Sequence, residues 1–102
     1  MLKKRFLTIK DECEVSFELT AAEAQQVDLV CESNGWQPIE MKKTGKGKKT
    51  TFRAKVRLPQ ERQFEFRYLV DRHQWINDDS ADAYAPNNFG TENGVLSTAR
   101  TS

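Results

Sequence analysis

Four stretches of the chain alternate apolar and polar side chains with a period of two, and that pattern narrows the fold more than anything else in the sequence. Val15, Phe17 and Leu19 oppose Glu14, Ser16 and Glu18, while Val27, Leu29 and Cys31 form a second set. Phe52, Ala54, Val56 and Leu58 alternate with Arg53, Lys55 and Arg57, and Phe64, Phe66, Tyr68 and Val70 alternate with Glu65, Arg67, Leu69 and Asp71. Successive side chains of a strand point to opposite faces, so each run predicts a strand with one buried and one wet face. Phe6 to Ile9 predicts a first strand and Val95-Leu96 a last one. Asn34-Gly35, Gly45-Lys46-Gly47, Leu58-Pro59 and Ala85-Pro86-Asn87-Asn88 supply turn chemistry at the breaks. Thr20-Ala21-Ala22-Glu23 has capping-box spacing, but Val27 already belongs to a strand, so at most one helical turn fits. Short strands with turns between them predict an all-β sandwich whose core is Phe17, Leu19, Val27, Leu29, Phe52, Val56, Phe64, Phe66 and Tyr68.

With 102 residues and no linker or internal repeat, residues 1–102 read as a single domain. The 16 basic and 15 acidic side chains leave a formal charge of +1, so a whole-molecule electrostatic footprint for nucleic acid or an anionic membrane is absent. The one basic run, "KKTGKGKKT" from Lys42 to Thr50, has no aromatic interleaved and reads as a solvated hairpin loop whose lysines discourage edge pairing. No apolar stretch of signal-peptide or membrane-spanning length follows the basic start, and Cys13 and Cys31 make no disulfide framework. A cytoplasmic protein is expected.

Catalytic chemistry is thin. His73 is the single histidine, which limits general-base and nucleophilic schemes, and no Gly-x-Ser-x-Gly elbow is present. His73 beside Asp71 reads as a turn-exposed residue, not a metal ligand. Asp78, Ser80 and Asp82 resemble the start of a calcium loop, but Ala83 stands where its sharp-turn glycine belongs and Phe89 where its closing glutamate would fall. Neither a P-loop nor a dinucleotide-binding glycine pattern occurs. The expectation is a chain with no catalytic residues, no metal and no cofactor.

The two tryptophans stand out. Trp36 follows Ser33-Asn34-Gly35, and Trp75 follows Asp71-Arg72-His73-Gln74, so both lie in polar, loop-like surroundings beyond strand ends. Two tryptophans in that setting predict an exposed aromatic platform. "ESNGWQP", "FEFRYLVD…WINDDSADAYAPN" and "FGTENGVL" together resemble carbohydrate-binding module family 48. That family includes the N-terminal early-set domains of isoamylases and glycogen branching enzymes and the glycogen-binding domain of AMP-activated protein kinase β-subunits. The chain is most similar to the small stand-alone bacterial group of isoamylase early set domain-containing proteins.

The resemblance implies an immunoglobulin-like (early set) β-sandwich that binds α-1,4-glucan (glycogen, starch or maltodextrin) without catalysis. Trp36 and Trp75 would stack on glucose rings, Arg67 and Asn93 would hydrogen-bond hydroxyls, and Thr91, Phe89 and Asn34 would complete the site. Arg67 lies on the parity opposite Phe64, Phe66 and Tyr68, as such a role requires. The chain departs from the family in two places. Cys31-Glu32-Ser33-Asn34 stands where the family writes glycine, an acid, phenylalanine and asparagine, and Asp71-Arg72-His73-Gln74 replaces a shorter Asp-Gly turn. The competing expectation is a protein-interaction sandwich that docks on a glycogen-metabolism enzyme or on itself, with the same tryptophans as interface hot spots.

Overall fold

A computed structural model of the chain describes residues 1–7 and 11–99. Among the described residues ten strands form: β1 (Leu2–Phe6), β2 (Glu12–Thr20), β3 (Val27–Cys31), β4 (Ile39–Glu40), β5 (Lys42–Thr44), β6 (Thr51–Pro59), β7 (Gln63–Val70), β8 (Gln74–Ile76), β9 (Ala83–Pro86) and β10 (Glu92–Ser97). One sheet has the order β1-β2-β6-β5, the other β4-β3-β7-β10-β9, with β8 also paired to β7. Every pairing is antiparallel. The chain lays down β1–β2, crosses to β3–β4, returns for β5–β6 and crosses again for β7 to β10. The result is an all-β, immunoglobulin-like sandwich.

The alternating runs meet as their pattern requires. Cys13, Val15 and Phe17 of β2 and Phe52 and Leu58 of β6 face Val27, Leu29 and Cys31 of β3, Phe64, Phe66, Tyr68 and Val70 of β7, and Leu96 of β10. Phe17 and Phe66 bridge the two sheets edge to face, with ring centroids 5.3 Å apart, and Tyr68 meets Phe66 the same way at 5.9 Å. Such pairs contribute about 0.5–1.5 kcal/mol each beyond simple burial. Leu19 and Val56 of the expected core are only partly buried. They lie on opposite sides of the Phe17–Ala54 pair in the β2–β6 ladder, on a sheet only four strands wide.

Other sequence expectations shift at the edges. The first strand is Leu2–Phe6, earlier than Phe6 to Ile9, because Lys3 pairs with Ser16 and Phe6 with Cys13; Thr8 and Ile9 lie outside the described residues. The lysine run is a hairpin, as expected, but it contains an edge strand, β5, and a 3-10 turn at Gly47–Lys49. Cys13 and Cys31 are free, buried thiols. Burial pushes the Cys13 thiol above its ordinary value. Among the described residues no helix is long and apolar enough to cross a membrane.

Candidate functional site

Strand β7 divides its second edge between two partners. β10 pairs with Gln63 to Phe66, β8 pairs with Tyr68 to Val70, and Arg67 falls in the gap between them. Because Phe66 and Tyr68 point inward, Arg67 points out of the sandwich. Across the β3 ladder its partner is Val30, an apolar residue on the wet parity that is nonetheless 5% exposed. Val30 and Arg67 line one cleft with residues of the neighbouring turns.

The first of these follows β3. Glu32–Asn34 makes a 3-10 turn, Gly35 N–H donates to Glu32 O, and Trp36 N–H donates to Cys31 O, both at 3.1 Å. Gly35 and Trp36 both take positive φ, 72° and 66°. That region is ordinary for glycine but strained for a bulky aromatic. Asn34 Nδ2 donates to Gln37 O at 3.1 Å, closing the turn, and Glu32 Oε1 accepts the Glu65 N–H at 2.8 Å, tying the turn to β7. The indole of Trp36 is left 41% exposed. Strain of this kind persists where surroundings over-determine it and clusters at ligand clamps.

Trp75 is presented differently. The sequence places it beyond a strand end; the structure places it on β8, opposite Leu69. The turn before it centres on Asp71 and Arg72, with φ of 50° and 63°, and His73 N–H donates to Val70 O at 3.1 Å. Two central residues with positive φ are what a type I′ hairpin turn needs, so the turn takes that hand without a glycine. Asp71 Oδ1 accepts the backbone N–H groups of Gln26 and Gln25 at 2.9 and 2.8 Å, and these hold its carboxyl below the ordinary value. The Arg67 guanidinium lies over the Trp75 ring, 5.6 Å from its centroid, a cation–π contact that leaves the indole 48% exposed.

Beyond β8 the polar stretch is pinned to the core. Tyr68 Oη donates to Asp78 Oδ2 at 2.7 Å, the Ser80 N–H and hydroxyl donate to Asp78 Oδ1 at 2.8 and 2.7 Å, and the Met1 amino group also reaches Asp78. Burial works to raise the Asp78 carboxyl, but the Met1, Ser80 and Tyr68 donors outweigh it and the net direction is down. The same burial and carboxylate push the Tyr68 phenol up. Asp78 is therefore a structural anchor. Among the described residues no group of three or more metal-ligating side chains is placed to hold an ion.

The β9–β10 hairpin closes the site. Asn87 Oδ1 accepts the N–H groups of Phe89 and Thr91 at 2.9 and 3.2 Å, an Asx turn that lifts Phe89 until it is 88% exposed. Thr91 exchanges hydrogen bonds with the Asn87 amide and accepts Arg67 Nη1 at 3.3 Å, so its hydroxyl is fully engaged. Arg67 Nε donates to Asn77 Oδ1 at 3.1 Å, and Asn77 Nδ2 donates to Glu92 O at 2.8 Å. A guanidinium carries five N–H groups; two are used here, and the others face no partner among the described residues.

These elements enclose one cleft of about 780 Å³ on the outer face of the six-stranded sheet. Six of the residues expected from sequence line it: Trp36, Trp75, Arg67, Asn93, Thr91 and Phe89. Asn34 does not; its side chain holds the Trp36 turn. Sequence reasoning missed Val30, the apolar floor, and Asn87, which orders the Phe89 loop. Val30 carried a signal, being apolar on a polar parity; Asn87 carried only the turn chemistry after Pro86. The cleft offers three aromatic surfaces, one guanidinium and two side-chain amides, the mix suited to a ligand with flat apolar faces and a hydroxyl rim. No protein-family model and no curated protein matches the chain.

Proposed function

We propose that the chain is a non-catalytic carbohydrate-binding module of the early-set type that recognises α-1,4-glucan, such as glycogen, starch or maltodextrin, in the cytoplasm. One observation carries the reading: Trp36 and Phe89, from two separate turns, and Trp75, from strand β8, converge on a cleft whose hydrogen-bonding side chains include Arg67 and Asn93. Sugar rings present C–H faces to aromatics and hydroxyls to planar donors and acceptors, so each half of the ligand finds its complement. Trp36 and Trp75 stack on rings. Arg67 both backs Trp75 and offers its remaining N–H groups to hydroxyls. Thr91, its hydroxyl already engaged, braces Arg67. Asp71, Asp78, Asp79 and Asp82 line no part of the cleft, whereas glycoside hydrolysis uses a pair of carboxylates flanking the bond.

The purified protein should be retained on immobilised amylose, released by maltoheptaose and little affected by salt. Passage through the column unretarded sinks the reading. Retention that collapses with salt points to the lysine hairpin instead.

A further inference from the structure

The side-chain amides of Asn87 and Asn93 form a relay whose polarity is dictated at both ends. At one end the backbone N–H groups of Phe89 and Thr91 donate to Asn87 Oδ1. A backbone N–H only donates, so Asn87 must face it with oxygen and turn Nδ2 toward Asn93 Oδ1, 3.0 Å away. At the other end Asn93 Nδ2 donates to Glu65 Oε1 at 3.1 Å, and a carboxylate only accepts. The two ends agree. Turning the Asn93 amide over would set its carbonyl oxygen against the Glu65 carboxylate and its N–H groups against those of Asn87.

With this polarity fixed, Asn93 keeps one N–H and one Oδ1 lone pair for a ligand, in a set order along the cleft. We propose that Asn87 and Glu65 are positioning residues that fix that order and so decide which pattern of donating and accepting hydroxyls the cleft takes. Glu65 does this without lining the cleft. The proposal rests on the sugar reading and adds to it a source of selectivity in the two residues that brace Asn93, Asn87 at the cleft wall and Glu65 behind it. A hydroxyl can donate or accept, so a braced amide that cannot flip discriminates against those hydroxyls whose other contacts leave only the wrong role, by leaving a polar group unpaired.

Asn87→Asp provides the test, because the aspartate keeps the acceptor that the Phe89 and Thr91 N–H groups need but replaces the donor that faces Asn93. Asn93 is then driven to turn over, and its free N–H and lone pair trade places. Maltoheptaose affinity, read by titration, should fall about tenfold, the effect of one misdirected hydrogen bond. Glu65→Gln alone keeps an acceptor for Asn93 and should bind close to the unaltered chain. In the double variant Asn87→Asp/Glu65→Gln the introduced glutamine amide can donate to the turned Asn93, so the melting temperature should recover while affinity stays low. Recovery of affinity together with stability would make the relay merely structural and overturn the proposal, as would an Asn87→Asp variant that binds normally. An unaltered chain that binds no maltoheptaose overturns the sugar reading and this one together.

Discussion

Trp75 stands on a strand, and Trp36 stands on a strained turn. Trp75 is held in the β7–β8 ladder opposite Leu69, has a guanidinium over its ring, and is followed by a segment anchored through Asp78 to the buried Tyr68. Trp36 has none of that. Its turn is held by its own backbone bonds, by Asn34 and by one reach from Glu32 to β7, at consecutive positive φ angles. Both indoles end about equally exposed. The comparison shows two routes to one presentation, one using tertiary anchoring and the other local conformational strain, and each should fail in its own way.

The largest effect is expected on the Trp75 side. Asp78→Ala leaves the Tyr68 hydroxyl and the Ser80 donors without their acceptor, and should cost about 2–4 kcal/mol in a denaturant melt. Acid should act at the same place. The folded-state carboxyls of Asp78 and Asp71 are held below their ordinary value of 3.8, so their ionised forms favour the fold. That advantage is complete at neutral pH, fades as pH falls below about 4, and is lost once pH passes the folded-state values. Thermal melts from pH 7 to pH 2 should show the decline, and Asp78→Asn should flatten it.

On the Trp36 side the weak point is conformational. A Cβ at Gly35 would touch nothing, yet Gly35→Ala should cost about 1–2 kcal/mol because φ there is 72°. The sharper contrast is a glycine at each tryptophan. Trp36→Gly relieves a strained φ and should gain up to about 1 kcal/mol, whereas Trp75→Gly weakens a strand and a cross-strand pair and should lose about 1 kcal/mol. Equal signs in the two melts would undo the comparison. Smallest of all, Arg72→Gly should stabilise by about 0.4–1 kcal/mol, since Arg72 takes φ of 63° in an exposed turn.

How much of this was legible in the sequence follows from the same contrast. β2, β6 and β7 were readable because each buries one face, so parity survives in the residues, whereas β3 is buried on both faces and kept a readable alternation only through Asp28. β4, β8 and β9 were not, since two to four residues such as Ile39-Glu40 or Ala83-Tyr84-Ala85-Pro86 carry no period and owe their pairing to a neighbour. Six of the cleft residues were named from motif and parity. Their partners were not, because Asn77 meets Arg67 only once β8 pairs with β7, Asn87 meets Asn93 only in the β9–β10 hairpin, and Glu65 meets Asn93 only once β10 pairs with β7.

Sugar binding of the proposed kind requires Trp36 and Trp75 to act as a joint platform. The most direct measurement is a maltoheptaose titration of the unaltered chain, Trp75→Ala and Trp36→Ala, each paired with a thermal melt. Losing one stacked ring should lower affinity roughly tenfold to a hundredfold, on the scale of about 1–3 kcal/mol known for aromatic stacking. Melting temperatures should move only slightly, since both indoles are exposed. Unchanged affinity in either variant, or a melting temperature that collapses as it does for a core aromatic, would contradict it.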